Sequence, residues 1–330
     1  MKSRNVLIAS AVAIITLATG CSSGSDGSEP RLALEKTSIV VGAFPSIDSA
    51  GLYIAEMDGL FAAQGLHVTI VSAGNPPPST QDLINGQIKE KYDVTAGDYV
   101  TYIENEVLGT AYLRIIAEAS FLQPNVQTLL VNGTPSVNSV GQLGNRNKTV
   151  SVNAPDNIGT LLLDSLLAEY GIQPSQVKFN NYVPFSAVAQ LLATKAVSAS
   201  YATEPFVSLD EEKVGAEELA DLDQGSTVDF PIEGYVVTEE WAQKYPNTLK
   251  AFVRALSQGQ EIADADRPAV EKAVERYLHI SASTAAFISL PAFPTAVDPV
   301  RLQRVIGAMV RFGLLPPGDS WFKITTMLGS

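Results

Sequence analysis

The segment that decides the fold runs from TSIVVGA at 37–43 through FPSIDS at 44–49 and a helical stretch at 50–64 to HVTIV at 67–71. Both outer runs are rich in β-branched and apolar residues, which predicts two strands. Between them, apolar residues recur at three- and four-residue spacing, which predicts a helix from Ala50 to Gln64 that ends at Gly65. A strand, loop, helix and strand in this order are typical of a βαβ unit with parallel strands.

The alternation of strands and helices continues along the chain and then restarts. A second strand–helix pair begins with Lys148–Val152 and Asn157–Tyr170, whereas the chain after Glu239 is almost wholly helical. We therefore expect an α/β protein with two mixed sheets flanked by helices. The helical C-terminal region is expected to pack on one or both of these units.

Composition and charge exclude several classes of function. The chain has 330 residues, with 22 Lys and Arg against 35 Asp and Glu, and a formal net charge of −13. Such an acidic chain has no electrostatic attraction to phosphate backbones, so nucleic-acid binding is not expected. Two His and one Cys exclude most zinc sites, Cys-ligated iron–sulfur clusters and any intrachain disulfide. We predict no metal site and no cofactor.

The N-terminus has the features of an export signal. Lys2 and Arg4 precede the largely apolar run Val6–Leu17, which is too short for a membrane-spanning helix. Because the only Cys of the chain follows at Cys21, the pattern resembles a bacterial lipoprotein signal, and the alternative is an ordinary secretory signal. We expect a signal peptide at 1–20, lipidation of Cys21 and a flexible tether at 21–36. The protein would then be extracytoplasmic and lipid-anchored to the bacterial cell membrane.

Several motifs together carry a resemblance to a known family. They are VGAFPSIDSA at 41–50, GLFAAQGLHV at 59–68, YATEPF at 201–206 and FPIEGYVV at 230–237. The chain from Ser38 to Leu315 resembles substrate-binding proteins of ABC importers in the nitrate/sulfonate/thiamine-precursor group, the SsuA/THI5-like or NMT1 family.

The resemblance implies a two-lobed type II periplasmic-binding-protein fold, in which two crossing strands connect the lobes. Lobe 1 would comprise 37–123 and 239–330, and lobe 2 would comprise 124–238. The lobes would close on a small-molecule ligand, and the monomeric protein would deliver that ligand to a permease in the membrane. Lys195 and Ser198 depart from the Gly and Asp that the family usually has, and 89–92 has the character of an insertion.

Ligands of open α/β sheets bind beyond the carboxyl ends of the strands, where helices present free N–H groups. Four loops of this sequence meet that description: 44–50, 97–99, 154–160 and 203–206. The candidate ligand-binding residues in or beside them are Ser46, Asp48, Ser49, Gly97, Asp98, Tyr99, Asp156, Asn157, Thr160, Tyr201 and Glu204.

These loops contain four carboxylates, at Asp48, Asp98, Asp156 and Glu204, and no Lys, Arg or His. One like-charge contact at about 4 Å costs roughly 4 kcal/mol at an effective dielectric constant of about 20. We therefore expect a neutral or cationic heterocycle, such as a thiamine-pyrimidine precursor. Nitrate, an alkanesulfonate or another small anion bound at helix N-termini is the alternative.

Each candidate carboxylate also has a structural interpretation. Asp48 and Asp156 are equally compatible with capping the helix that follows. Glu204 is either a ligand-binding acid or a partner in a hinge ion pair. Asp98 follows a buried strand and a glycine, which favours a place at the cleft.

The aromatic residues beside the loops are open to two interpretations. Tyr99 and Tyr201 could stack on a flat ring, since a phenol end favours a polar surface. Phe121 and Phe185 are more typical of a core.

Catalysis is not indicated. His67 and His279 both fall in predicted regular elements away from the loops, so no Ser/His/Asp or Cys/His constellation is formed. We expect a binding protein and not an enzyme; the other classes are a scaffold lipoprotein and a carboxylate-pair hydrolase.

Overall fold

A computed structural model describes residues 33–72, 79–316, 318–319 and 322–328. The predicted signal peptide, Cys21, the tether up to residue 32 and the Pro-rich part of the loop that follows residue 72 lie outside the described residues. The strands are β1 (Ser38–Ala43), β2 (His67–Val71), β3 (Val94–Asp98), β4 (Leu113–Phe121), β5 (Gln127–Asn132), β6 (Thr149–Ser151), β7 (Lys178–Asn180), β8 (Ala199–Thr203), β9 (Ala216–Asp221) and β10 (Pro231–Thr238). The helices are α1 (Ala50–Met57), α2 (Leu60–Ala63), α3 (Thr80–Ile88), α4 (Tyr99–Val107), α5 (Ile158–Glu169), α6 (Val188–Ala193), α7 (Phe206–Val214), α8 (Glu239–Lys244), α9 (Pro246–Ala265), α10 (Arg267–Leu278), α11 (Ala282–Phe287) and α12 (Pro299–Arg311).

These strands form two five-stranded mixed sheets, which confirms the predicted fold class. The first has the order β2-β1-β3-β10-β4 and the second the order β7-β6-β8-β5-β9. In the first sheet β1 is parallel to β2 and β3, whereas β10 is antiparallel to β3 and β4. In the second sheet β6 is parallel to β7 and β8, whereas β5 is antiparallel to β8 and β9.

The chain passes between the sheets twice, after β4 and before β10. A boundary of lobe 2 at residue 238, as predicted, would leave β10 with the second sheet. The structure corrects this point, because β10 pairs with β3 through Gly234 and Gly97 and with β4 through Thr238 and Leu113. The second crossing therefore falls before Pro231, and the other lobe boundaries stay predictions.

The helix predicted from Ala50 to Gln64 is interrupted. α1 ends at Met57 and α2 begins at Leu60. Gly59 lies between them with a φ of 69°, in the left-handed region that stops an α-helix and that glycine adopts at low cost. α3 begins with a capping box, in which Ser79 and Asp82 bond each other's backbone.

β9 was not predicted from the sequence, because its residues, Ala-Glu-Glu-Leu-Ala-Asp, have low β-propensity. It forms at the edge of the second sheet by pairing with β5, where charged side chains remain in solvent.

Lys195 has a φ of 56°, which is consistent with the glycine that the family usually has at this position.

The C-terminal helices pack as expected. Leu302 and Met309 of α12 lie in the same apolar core cluster as Ile103 of α4 and Leu161 of α5. None of the helices in the described ranges combines the length and the apolarity that crossing a membrane requires.

One buried carboxylate beside the second sheet lacks a hydrogen-bond partner for one of its oxygens among the described residues. This observation leads to a testable prediction. Asp210 of α7 is 4% exposed, and its Oδ2 atom has no hydrogen-bond partner among the described residues. Burial raises the pKa of Asp210 to about 7, and Lys213 opposes the shift only in part. Because the pKa is higher in the folded state, the ionised group destabilises the fold above pH 7, and protonation restores stability as the pH falls from about 7 to about 4.

We expect Asp210→Asn to raise the free energy of unfolding at about pH 8 by on the order of 2 kcal/mol. The gain should become small near about pH 4, where the wild-type carboxyl is protonated in the folded state and about half protonated in the unfolded chain. Urea denaturation at both pH values checks this, and an equal effect at the two would contradict it.

Candidate functional site

The carboxyl edge of the first sheet gathers three buried carboxylates. Because β10 is antiparallel to its neighbours, its beginning lies beside the ends of β3 and β4. Asp48 follows β1, Asp98 ends β3 and Glu233 lies near the start of β10. Their exposed fractions are 1%, 7% and 8%, respectively.

Hydroxyl groups bind two of these carboxylates. Ser120 Oγ donates to Asp48 Oδ1 at 2.5 Å, and Ser46 Oγ lies 3.5 Å from both carboxylate oxygens of Glu233. The side chain of Ser46 also hydrogen-bonds Asp48, so it connects the two acids. The Tyr277 hydroxyl donates to the Ser46 carbonyl at 2.8 Å and fixes this loop from the side of α10.

The electrostatics of the edge favour a proton or another cation. Burial raises the pKa of Asp48, and the hydrogen bonds from Ser120 and Ser46 oppose the shift. Burial, together with the charges of Asp48 and Asp98, raises the pKa of Glu233 well above its usual range.

Asp98 and Asp48 differ in how they relate to the helices that follow them. Asp98 caps α4, because its Oδ1 accepts from Thr101 N at 3.0 Å and its Oδ2 from Thr101 Oγ1 at 2.9 Å. Asp48 makes no such cap; neither Ser46 nor Ser49, at the two N-cap positions around it, forms a side-chain cap bond. Asp98 therefore caps a helix, and its place in a ligand cleft stays a prediction.

A substitution tests this role of Asp98. We expect Asp98→Ala to lower the free energy of unfolding by about 1 kcal/mol, because two donors at the start of α4 lose their acceptor. Asp98→Asn keeps an N-cap acceptor and should cost less. Urea denaturation of the ligand-free variants measures both, and an unchanged midpoint in the alanine variant would contradict the capping role.

In the loop before α5, the cap is Asn157 and not Asp156. Asn157 Oδ1 accepts from Thr160 N at 3.1 Å, and Thr160 Oγ1 accepts from Asn157 N at 3.0 Å. Asp156 is exposed and has a φ of 55°, so the interpretation of Asp156 as a cap is wrong. The side chains of Asn157 and Thr160 are therefore engaged in capping α5.

The two candidate stacking tyrosines are packed and not presented to solvent. The Tyr201 hydroxyl donates to Gln127 Oε1 at 2.8 Å, and its ring leaves no room for a Cβ at Gly159, which would lie 2.3 Å from it. Tyr99 is completely buried, and its ring lies against Gly234 in the same way. Gly97, beside Tyr99 in sequence, packs on the Thr80 side chain.

Glu204 forms hydrogen bonds to neutral donors. Its Oε1 accepts from Ser208 Oγ at 2.8 Å and from Ser289 N at 2.9 Å, and its Oε2 accepts from Ser208 N at 3.2 Å. Burial raises the pKa of Glu204 to about 7. Among the described residues it has no ion-pair partner, and the bond to Ser289 joins the second sheet to the segment after α11.

Aromatic contacts bring the two carboxyl edges together. Phe44, in the loop after β1, lies edge-on to Phe185 with ring centroids 6.4 Å apart. Phe185 in turn contacts Phe206 at 5.4 Å and Tyr201 at 5.6 Å. Phe185 is buried and belongs to this cluster, as the core interpretation predicts. The loop after β1 therefore contacts, through Phe185, β8 and the start of α7.

Glu233 was missed by sequence reasoning. Its signal was a single charged residue inside the otherwise uncharged run FPIEGYVV at 230–237. No group of three or more His, Cys, Asp or Glu side chains in the described ranges is arranged to hold a metal ion.

Two mixed sheets that meet at their carboxyl edges, connected by two crossings, define a protein of the periplasmic-binding-protein fold. The chain belongs to the NMT1/THI5-like family, whose model matches residues 46–268. A search among curated proteins finds no significant match.

Solved structures show the same fold. The ligand-binding component of an ABC-type import system from Staphylococcus aureus, with zinc bound, superimposes with a TM-score of 0.72 at 14% identity, covering 89% of this chain and 97% of that chain. For the periplasmic aliphatic sulphonate-binding protein SsuA of Escherichia coli the TM-score is 0.71 at 14% identity, covering 89% and 92%. For the desulfurization enzyme DSZB it is 0.63 at 16% identity, covering 85% and 93%. At these identities the similarity concerns the fold alone.

Proposed function

We propose that this protein is an extracytoplasmic solute-binding receptor of an ABC importer. It captures a small molecule between the carboxyl edges of its two sheets, closes on it, and delivers it to a membrane permease. The observation that carries the proposal is the pair Asp48 and Glu233, which lies buried at this edge and has no ion-pair partner among the described residues. The family and the importer components among the structural neighbours support it.

The ligand class follows from the charge of the site. A buried anion beside the ionised form of Asp48 or Glu233 would meet like charge, at a cost of roughly 4 kcal/mol per contact at about 4 Å and an effective dielectric constant of about 20. A neutral or cationic heterocycle, such as a thiamine-pyrimidine precursor, can instead donate hydrogen bonds to these oxygens. Nitrate, an alkanesulfonate or another small anion is the second candidate, which the fold shared with the sulphonate-binding protein favours.

The N-terminal features complete the proposal. A signal peptide at 1–20, a lipid on Cys21 and a tether at 21–36 would hold the monomeric receptor at the outer face of the cell membrane, near its permease. Lipid attachment at Cys21 can be measured by mass spectrometry of the membrane fraction, with Cys21→Ala as the control that should release the protein.

A thermal-shift panel tests the proposed function. Because a ligand that binds only the folded state raises the apparent stability, we expect pyrimidines to raise the melting temperature and nitrate and alkanesulfonates to leave it unchanged. Stabilisation by the anions alone would establish the second candidate. Turnover of a glycoside or an ester would indicate a carboxylate-pair hydrolase, and no response to any small metabolite would favour a scaffold lipoprotein.

A further inference from the structure

Glu233 is a buried carboxylate that the protein itself barely satisfies. It is 8% exposed, and its hydrogen-bonding partner in the described part of the chain is Ser46 Oγ, at 3.5 Å from each oxygen. An ionised carboxylate can accept about four hydrogen bonds, so most of this capacity is unused. Burying such a group is costly unless a donor or a cation compensates it.

Two other buried carboxylates in the described ranges have a cationic partner, which Glu233 lacks. Of the buried carboxylates in the described ranges, Glu118 pairs with Arg301 at 3.0 Å, and Asp93 pairs with Lys36 at 2.5 Å. None of the ion pairs between described residues includes Glu233 or Asp48. The pKa of Glu233 is correspondingly raised by burial and by two neighbouring acids, with no cationic group opposing the shift.

The hydroxyl groups of Tyr235 and Ser49 provide a second observation at the site of Glu233. Tyr235 lies two residues after Glu233 on β10, so both side chains project from the same face of the sheet. The Tyr235 side chain is fully buried, and its hydroxyl has no hydrogen-bond partner within 3.5 Å among the described residues. Burial and the charges of Glu233 and Asp48 raise the pKa of Tyr235, and the nearby Leu52 backbone opposes the shift. Ser49 Oγ, beside Asp48 in sequence, is also buried and unpartnered within the described part.

We infer that Glu233, assisted by Asp48, selects the charge of the ligand by pairing with a protonated amine or amidine group. The inference rests on the proposed receptor function and narrows its ligand class to cations. The free hydroxyls of Tyr235 and Ser49 would complete the hydrogen bonds around such a group. Ser46, which contacts both acids, would hold the carboxylates in position.

Two ligands of the same shape but different charge test whether the site selects for ligand charge. We would titrate the purified protein by calorimetry with an aminomethyl-pyrimidine, which is cationic near neutral pH, and with the hydroxymethyl-pyrimidine of the same shape. The wild type should bind the amine at least about tenfold more tightly. Glu233→Gln keeps the shape of the side chain and removes its charge, and it should reduce this preference to about twofold or less. Asp210→Asn, which removes a buried carboxylate from α7, is the control and should keep the full preference.

The possible outcomes distinguish a failure of the proposed role of Glu233 from a failure of the proposed receptor function. Equal binding of both probes by the wild type, or an unchanged preference in Glu233→Gln, would overturn the role of Glu233 and leave the receptor function intact. Binding of methanesulfonate or nitrate, with no heat from either pyrimidine, would overturn both the cationic class and the preferred function. No binding of any probe would contradict both as well. The melting temperature of ligand-free Glu233→Gln, expected at or above the wild-type value, shows that the variant is folded.

Discussion

Replacing Gly259 by alanine should destabilise the protein by about 3 kcal/mol, although alanine is the better helix former by about 1 kcal/mol. Gly259 lies in α9 where this helix contacts α1. A Cβ at this position would lie 2.2 Å from the Gly51 carbonyl oxygen and 2.8 Å from the Ala55 Cβ. Because the nearest atom belongs to the backbone, no side-chain rotation can relieve the contact. The two helices must move apart and lose their packing.

A matched substitution isolates the contact from helix propensity. Gly307 lies in the interior of α12, is exposed, and has no atom within 4 Å of the position that a Cβ would occupy. Gly307→Ala should therefore stabilise the protein, by up to about 1 kcal/mol. Urea denaturation measures both variants, and effects of the same sign would contradict the close approach of α1 and α9.

Removing Arg301 is the other substitution with a large expected effect. Arg301 Nε donates to Glu118 Oε2 at 3.0 Å, and the Glu118 side chain is completely buried. The guanidinium also lies 4.5 Å from the centroid of the Phe121 ring. Arg301→Ala leaves an uncompensated carboxylate in the interior, which should lower the free energy of unfolding by about 3–5 kcal/mol.

The pH dependence of this loss identifies its cause. Burial already raises the pKa of Glu118 against the opposing effect of Arg301, and removal of Arg301 raises it further. Because the folded-state pKa lies above the unfolded value, the loss should be largest at about pH 8 and should shrink towards about pH 5, as Glu118 is protonated. The double variant Arg301→Ala with Glu118→Gln should recover part of the stability at pH 8. An equal loss at both pH values would assign the effect to the Phe121 contact.

The fold was accessible from the sequence because its signals are local. The β-branched run at 37–43, the cap at Ser79 and the helix breaker at Gly65 act within a few residues. The errors concern partners distant in sequence. β10 belongs to the first sheet because it pairs with β3 and β4, which are distant from it in the sequence. β9 forms despite its acidic sequence because its backbone pairs with β5 at the edge of the second sheet.

The site was predicted less completely than the fold. The rule that ligands bind at carboxyl ends of strands selected four loops, yet the sequence did not show which of their carboxylates cap helices. Asp98 and Asn157 accept bonds from the residues three positions later, whereas Asp48 bonds Ser120 on a different strand. Glu233 could not be assigned to the site, since its position opposite Asp98 results from the antiparallel register of β10.

The most direct test of the receptor function is a calorimetric titration of the purified protein with a pyrimidine, repeated in the presence of excess nitrate or methanesulfonate. The proposed function predicts one binding site per chain, for which the anions do not compete. Competition by the anions, or heat from the anions and none from the pyrimidine, would contradict a site built around Asp48 and Glu233.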